Sequence, residues 1–290
     1  MPKKIELAKY AGFCYGVKRA VETAKKLKAE NPDKEVFVLG ELIHNAHVIN
    51  ELESLRIKTL YEIPQTGEGI CVIRSHGESP EVIEKIKQAG FTIVDLTCPD
   101  VKKVQQKAVE LAKEGYFVVI LGKSEHPEVV AIKANALLWS ENVAVAASVE
   151  QLKEFETKIK AHRRAGVVVQ TTQRLETLNS IVNYLTSITK EIHIANTICQ
   201  STSMRQNEAK ALAKEADLMV VVGSKKSANT THLAEILNGI TKTIHIESPD
   251  ELDLYKDLTE NAEKISVTAG ASTPQKLIEA VVNRLDAPRA

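Results

Sequence analysis

Short apolar runs recur along the chain, each closed by a polar loop and followed by a stretch with helical spacing. "IELAKY" leads to "AGFCYGVKRAVETAKKLKAE", where Val17, Ala20, Val21, Ala24 and Leu27 fall on one helical face. "FTIVDLTC" leads to "PDVKKVQQKAVELAKEG", where Val101, Val104, Ala108 and Leu111 do the same. "EIHIANTIC" leads to "QSTSMRQNEAKALAKEA", a weaker pattern compatible with a helix. Strand, loop, cysteine and helix therefore follow one another three times. Downstream, "EVFVLGELIHN", "YFVVILGKSEHPE" and "LMVVVGSKKSANT" each read as strand, glycine, polar loop and helix. Their glycines, Gly40, Gly122 and Gly223, lie 26, 24 and 24 residues after Cys14, Cys98 and Cys199. A further strand, loop and helix closes each series: "ICVIRSHGESPEVIEKI", "VVVQTTQRLETLNSIV" and "ISVTAGASTPQKLIEAV".

Cysteine spacings of 84 and 101 match glycine spacings of 82 and 101, so the chain reads as three diverged copies of one α/β unit. The expected fold class is α/β: three pseudo-repeated α/β domains, residues 1–97, 98–196 and 197–290, in a three-lobed arrangement. Their sheets should be mainly parallel, because each crossover is helical. Local chemistry agrees. Pro99 sits where a first helical turn accepts proline, Asp100 where negative charge is favoured, and Ser79-Pro80 forms an ordinary helix start.

Composition narrows the function. The 290 residues carry 38 basic and 38 acidic side chains and no basic run, so no polyanion or membrane surface is an expected partner. Aromatics make up 4%, too few for a base-stacking platform, so no nucleic acid is expected. The opening "MPKKIELAKYAGFC" has no apolar core of a secretory signal, and no apolar run approaches a membrane span. A cytoplasmic location is the expectation.

In open parallel sheets, sites form beyond the carboxyl ends of the strands. Three facing units would bring Cys14, Cys98 and Cys199 together there. A helix N-terminus favours a thiolate, and three thiolates at one point call for a metal. Structural zinc wants four ligands, so three cysteines suit a catalytic zinc or an iron–sulfur cluster. Cys71, inside "GICVIRS" and without repeat equivalents, reads as a buried hydrophobe. A second, polar set occupies the same strand ends: His44, His76, His126, Glu128, Thr171, Thr172, Ser227, Asn229 and Ser272. The hydroxyl and amide residues also suit helix capping, "STP" at 272–274 in particular. Free N–H groups at helix starts bind phosphate, and Gly77, Gly223 and Gly270 would let backbone approach an anion. No P-loop or G-x-G-x-x-G is present. The ligand implied is small, anionic and phosphorylated, but not a classical nucleotide. His47, His162, His193, His232 and His245 read as ordinary structural residues.

In order along the chain, "GFCYGV", "GELIHN", "RSHG", "DLTCPDV", "HPE", "QTT", "NTIC", "GSKKSANT" and "SVTAGASTP" span Cys14 to Pro274. Together they resemble the 4-hydroxy-3-methylbut-2-enyl diphosphate reductases (LytB/IspH), the last enzymes of non-mevalonate isoprenoid biosynthesis. The resemblance implies a central [4Fe–4S] cluster on Cys14, Cys98 and Cys199, and two-electron reductive dehydroxylation to isopentenyl and dimethylallyl diphosphate. It implies that His44, His76, Ser227, Asn229 and Ser272 hold the diphosphate and that His126 also contacts substrate. Glu128 would deliver protons and Thr171 would join its hydrogen-bond network. A dry pocket beside an anion would raise the pKa of Glu128 in the direction this role needs. The sequence does not name the electron donor; one such as ferredoxin or flavodoxin is the expectation.

The sequence departs from the family pattern at Ala228, where many members carry a second serine, and at Ala131 and Ala134, where glycines are expected. Two other classes compete: a zinc-dependent hydrolase or lyase acting on a phosphorylated metabolite, and a non-catalytic diphosphate sensor. The sensor has no need of Glu128 beside His126.

Overall fold

The structure, a computed structural model, describes residues 3–287. In chain order the first elements are β1 (Lys4–Leu7), α1 (Tyr15–Glu30), β2 (Val36–Leu39), α2 (Ala46–Ser54), β3 (Ile57–Leu60), β4 (Ile70–Ile73), α3 (Pro80–Gln88) and β5 (Thr92–Asp95). Next come α4 (Pro99–Lys113), β6 (Phe117–Leu121), α5 (Pro127–Leu137), β7 (Val143–Ala146), α6 (Val149–Lys153), α7 (Glu156–His162), β8 (Arg164–Val169), α8 (Leu175–Ile188) and β9 (Glu191–Ile194). The last are α9 (Gln200–Ala213), β10 (Leu218–Val222), α10 (Ala228–Asn238), β11 (Thr243–Ile246), α11 (Lys256–Asn261), β12 (Lys264–Ala269) and α12 (Gln275–Asp286).

The strands form three four-stranded sheets, ordered β3-β2-β4-β5, β7-β6-β8-β9 and β11-β10-β12-β1, and every pairing is parallel. This is one order used three times. In the third sheet the fourth position is filled by the first strand of the chain. A linear division at residues 97 and 196 places β1 with the wrong sheet. The free side of β4 is already taken by β5, with Ile70 opposite Thr92. β1 pairs instead with β12, Lys4 opposite Lys264 through Leu7 opposite Val267.

The three strands that lead to the cysteines are thus all edge strands. β1, β5 and β9 share one exposure pattern, with exposed ends and half-buried middles. The central strands β4, β6 and β10 are buried at every position, as parallel strands covered on both faces must be. By their contacts the residues form two compact units. One, within residues 20–42 and 52–199, carries the first two sheets; the other, within 1–19, 43–51 and 200–290, carries the third.

Two of the helices that follow the cysteines, α4 and α9, cover sheets. Val104, Ala108, Leu111 and Ala112 of α4 pack with Val118, Ile120 and Val168 of β6 and β8. Each such side chain contributes roughly 1.5–3 kcal/mol when fully buried, and alanine less. Gly166 permits this approach: a Cβ there would stand 2.9 Å from the Leu111 side chain. α3 starts as its sequence predicts, with Ser79 accepting from Val82 N–H at 3.2 Å and Pro80 in the first turn. Among the described residues no helix is long and apolar enough to cross a membrane.

Candidate functional site

Cys14, Cys98 and Cys199 each immediately precede a helix, α1, α4 and α9. None of the three is in a disulfide, and all are half-buried. The Cys14 N–H donates to the carbonyl of Ala271 at 3.2 Å, Cys98 to Ser75 at 3.0 Å and Cys199 to Thr171 at 3.1 Å. Each acceptor lies two residues beyond a strand next to the edge, β12, β4 or β8. One backbone geometry therefore presents all three sulfurs, at a helix N-terminus beside a strand end. At Cys14 the sulfur itself accepts the Val17 N–H at 3.4 Å. Cys71 lies on β4 with no exposed surface, and burial pushes its thiol up to about 11, with Glu78 adding to the shift. It has the environment of an inert thiol.

Within the unit carrying the first two sheets, α5 presents His126 and Glu128. Pro127 begins the helix and His126 caps it, its Nδ1 accepting the Glu128 N–H at 3.2 Å. A backbone N–H can only donate, so Nδ1 is the acceptor and the proton of a neutral ring sits on Nε2. The rings of His76 and His126 meet edge to face, centroids 5.4 Å apart.

Glu128 is 1% exposed. Its Oε1 accepts the Thr171 N–H at 2.7 Å, and its Oε2 pairs with the Thr171 hydroxyl at 2.8 Å. Burial pushes this carboxyl up to about 7, against the lowering effect of the two Thr171 contacts. With the amide fixed as a donor to Oε1, the proton of the neutral acid belongs on Oε2, beside the Thr171 hydroxyl. The neighbouring Thr172 accepts from Gln170 Nε2 at 3.1 Å.

In the other unit Ser227 occupies the N-cap of α10, yet its side chain makes no capping bond. Asn229, in the first turn, is buried, and its Nδ2 has no hydrogen-bond partner. A buried donor left unmatched costs about 1–3 kcal/mol. Ala228 opens α10 and is buried between these two. The Ser272 hydroxyl donates to the His44 carbonyl at 3.4 Å. The capping expectation for "STP" fails. Pro274 is the N-cap of α12 and no side chain caps it, while Thr273 donates to the Val222 carbonyl at 3.0 Å and so ties two strand ends together.

The glycines are closely packed on their Cβ side. A Cβ on Gly270 would stand 1.9 Å from Thr230 Oγ1, one on Gly223 2.4 Å from Thr273 Oγ1, and one on Gly77 2.6 Å from Gln105 Nε2. A side chain at any of the three would collide with the protein's own polar groups, and Gly77 and Gly223 also have positive φ. His245 and His162 pair with the carbonyls of Gly223 and Gly115, as structural histidines do.

Comparison with known proteins places the chain in well-populated company. The family model for LytB protein matches residues 5–286. The 4-hydroxy-3-methylbut-2-enyl diphosphate reductase of Geobacter sulfurreducens is 41% identical over 283 residues, covering 97% of this chain and 96% of that protein. A solved structure of (E)-4-hydroxy-3-methyl-but-2-enyl diphosphate reductase, described as the terminal enzyme of the non-mevalonate pathway, is 36% identical. It matches with a TM-score of 0.71 over 98% of this chain and 99% of its own. The Plasmodium falciparum reductase structure is 26% identical, with a TM-score of 0.89 over 99% of this chain and 89% of that one.

Proposed function

The chain belongs to the LytB protein family, and on that premise we propose that it reduces 4-hydroxy-3-methylbut-2-enyl diphosphate to isopentenyl and dimethylallyl diphosphate. The balance is simple. Two electrons and two protons enter, the allylic C–O bond breaks, the oxygen leaves as water and a C–H bond forms.

The donor set suits an iron–sulfur cluster. Three cysteines share one backbone geometry and none is tied in a disulfide. Three thiolates leave one iron of a [4Fe–4S] cubane without a protein ligand, and Cys14, Cys98 and Cys199 would hold it. When bound, that group supplies the two electrons and a Lewis acid for the substrate oxygen.

The remaining work falls to side chains. Glu128, its carboxyl pushed up to about 7 and so partly protonated near neutral pH, gives up the Oε2 proton and is reprotonated for the second transfer. Thr171 keeps the carboxyl oriented through both of its bonds. His126 presents Nε2–H to substrate, and its Nδ1 bond fixes the ring. Ser227, Asn229, Ser272, His44 and His76 bind the diphosphate with neutral or switchable donors. Asn229 would gain the partner it lacks. A ferredoxin or flavodoxin delivers electrons, and the enzyme works in the cytoplasm.

The observation that carries this reading is the threefold repetition of the cysteine geometry. Iron, acid-labile sulfide and the visible spectrum should be measured on anaerobically purified protein, followed by the reductase assay. About four irons and four sulfides per chain are expected. A colourless zinc protein, even after anaerobic reconstitution with iron and sulfide, would sink the reading and promote a zinc-dependent hydrolase.

A further inference from the structure

We infer that Arg205 and Glu208 of α9 are positioning residues for Cys14, an inference that rests on the cluster-ligand role proposed above. The three cysteine loops are not held alike. Two residues separate β5 from Cys98 and four separate β9 from Cys199, but six separate β1 from Cys14. The shorter loops carry local ties. Thr97 donates its N–H and its hydroxyl to Asp95 Oδ1 at 2.9 and 2.5 Å. Thr197 Oγ1 accepts the Val169 N–H at 2.8 Å and donates to the Val169 carbonyl at 2.6 Å.

The Cys14 loop is held by side chains nearly two hundred residues away in sequence. Glu208 accepts the N–H groups of Lys9 and Tyr10, both at 2.8 Å. Arg205 donates from Nε to the Tyr10 carbonyl at 2.9 Å and from Nη2 to the Gly12 carbonyl at 2.7 Å. One helix therefore grips consecutive donors and acceptors of the same loop, and the arginine doing so is 3% exposed. The loop has little freedom of its own. Gly12 has φ +92°, and a Cβ there would stand 2.9 Å from Ile278. Charged groups holding backbone dipoles make strong, directional bonds, which suits the setting of one sulfur. The corresponding positions of α4 and α1, six residues after Cys98 and Cys14, are Val104 and Ala20, so the clamp belongs to α9 alone.

The test compares wild type with Glu208→Gln, Arg205→Ala and Arg205→Lys in the full chain. Glutamine keeps one acceptor oxygen but turns an amide N–H₂ toward the second backbone donor. Iron and sulfide per chain, and the rate of iron loss to a ferrous chelator, are measured first. Each chain is then stripped, and iodoacetamide labelling of every cysteine is followed by peptide mass spectrometry. In Glu208→Gln and Arg205→Ala, Cys14 should label about tenfold faster, as expected when a local opening becomes easier, while Cys98 and Cys199 keep their rates. Arg205→Lys should fall between. Iron should leave the variants faster. Unchanged labelling at Cys14 overturns the inference, and so does equal acceleration at all three cysteines with a lowered melting temperature. The cluster assignment fails separately: wild type without iron and sulfide removes that reading, while the labelling comparison still decides the clamp.

Discussion

Thr171 holds Glu128 by both carboxyl oxygens, its N–H on Oε1 at 2.7 Å and its hydroxyl on Oε2 at 2.8 Å. Only the second partner can reverse its role when the acid takes a proton. The pair is therefore an acid with a fixed proton position. Glu128→Gln keeps the shape and removes the proton donor. Turnover should fall by roughly a hundredfold or more while KM and iron content stay near wild type. A variant that turns over normally refutes the proton-delivery role.

The same carboxyl sets a pH dependence in two observables. The proposed proton delivery needs the protonated form, so kcat should decline as pH rises through about 7. Stability follows the same sign. The unfolded carboxyl ionises near 4.5 and the folded one near 7, so between them the native state binds more protons. Stability should be greatest below that window and fall as pH rises through it, by on the order of 3 kcal/mol for this group alone. Denaturant midpoints from pH 5 to 8 should show this slope in wild type and lose it in Glu128→Gln. Equal slopes in both would remove Glu128 as its source.

Thr171→Val separates the two contacts. The N–H bond remains and the hydroxyl bond goes, and with it one of the interactions that lower the Glu128 pKa. The alkaline fall in kcat should move to higher pH, with a stability loss of about 1 kcal/mol. A shift to lower pH would show that the hydroxyl favours the neutral acid over the carboxylate.

Much of this was legible in the sequence, because periodicity and repeat spacing survive divergence. Val17, Ala20, Val21 and Ala24 gave α1 its face, and the three cysteine spacings marked one recurring geometry. The sheet to which β1 belongs was not legible. A four-residue edge strand such as Lys4–Leu7 carries no local signal of its neighbour, and its pairing with β12 closes a loop of about 260 residues. The same limit hid Arg205 and Glu208, which read as ordinary polar positions on a weakly amphipathic helix until Tyr10 and Gly12 are seen beside them. "STP" at 272–274 misled for a different reason: capping propensity is local, and Thr273 is claimed by the Val222 carbonyl of another strand.

Asn229 sets stability against binding. Its Nδ2 is buried without a partner, so the free protein bears the cost of desolvating it. Asn229→Leu should leave the melting temperature unchanged or raise it, while KM for the diphosphate rises by about tenfold, as loss of one hydrogen bond to a charged group implies. A lowered melting temperature with unchanged KM would make Asn229 a structural residue.

The four cysteines divide into three and one, and the division can be measured at every position. Cys14, Cys98 and Cys199 are half-buried before helices, with their N–H groups anchored two residues past a strand. Cys71 lies inside β4, fully buried, with its thiol pushed up to about 11. Reactivity follows the thiolate, so Cys71 should resist iodoacetamide at pH 8 in the native stripped protein while the other three label. Substitution should divide them the same way. Serine at 14, 98 or 199 should each lose most of the iron and nearly all activity. Cys71→Ala should keep both and lose only packing, because a small buried side chain has been trimmed. Cys71→Ser should be the less stable of the two Cys71 variants, since its hydroxyl would be buried among Leu39, Ile73 and Ile86. Iron loss in Cys71→Ala equal to that in Cys98→Ser would break the three-and-one division, and with it the argument from repeated geometry.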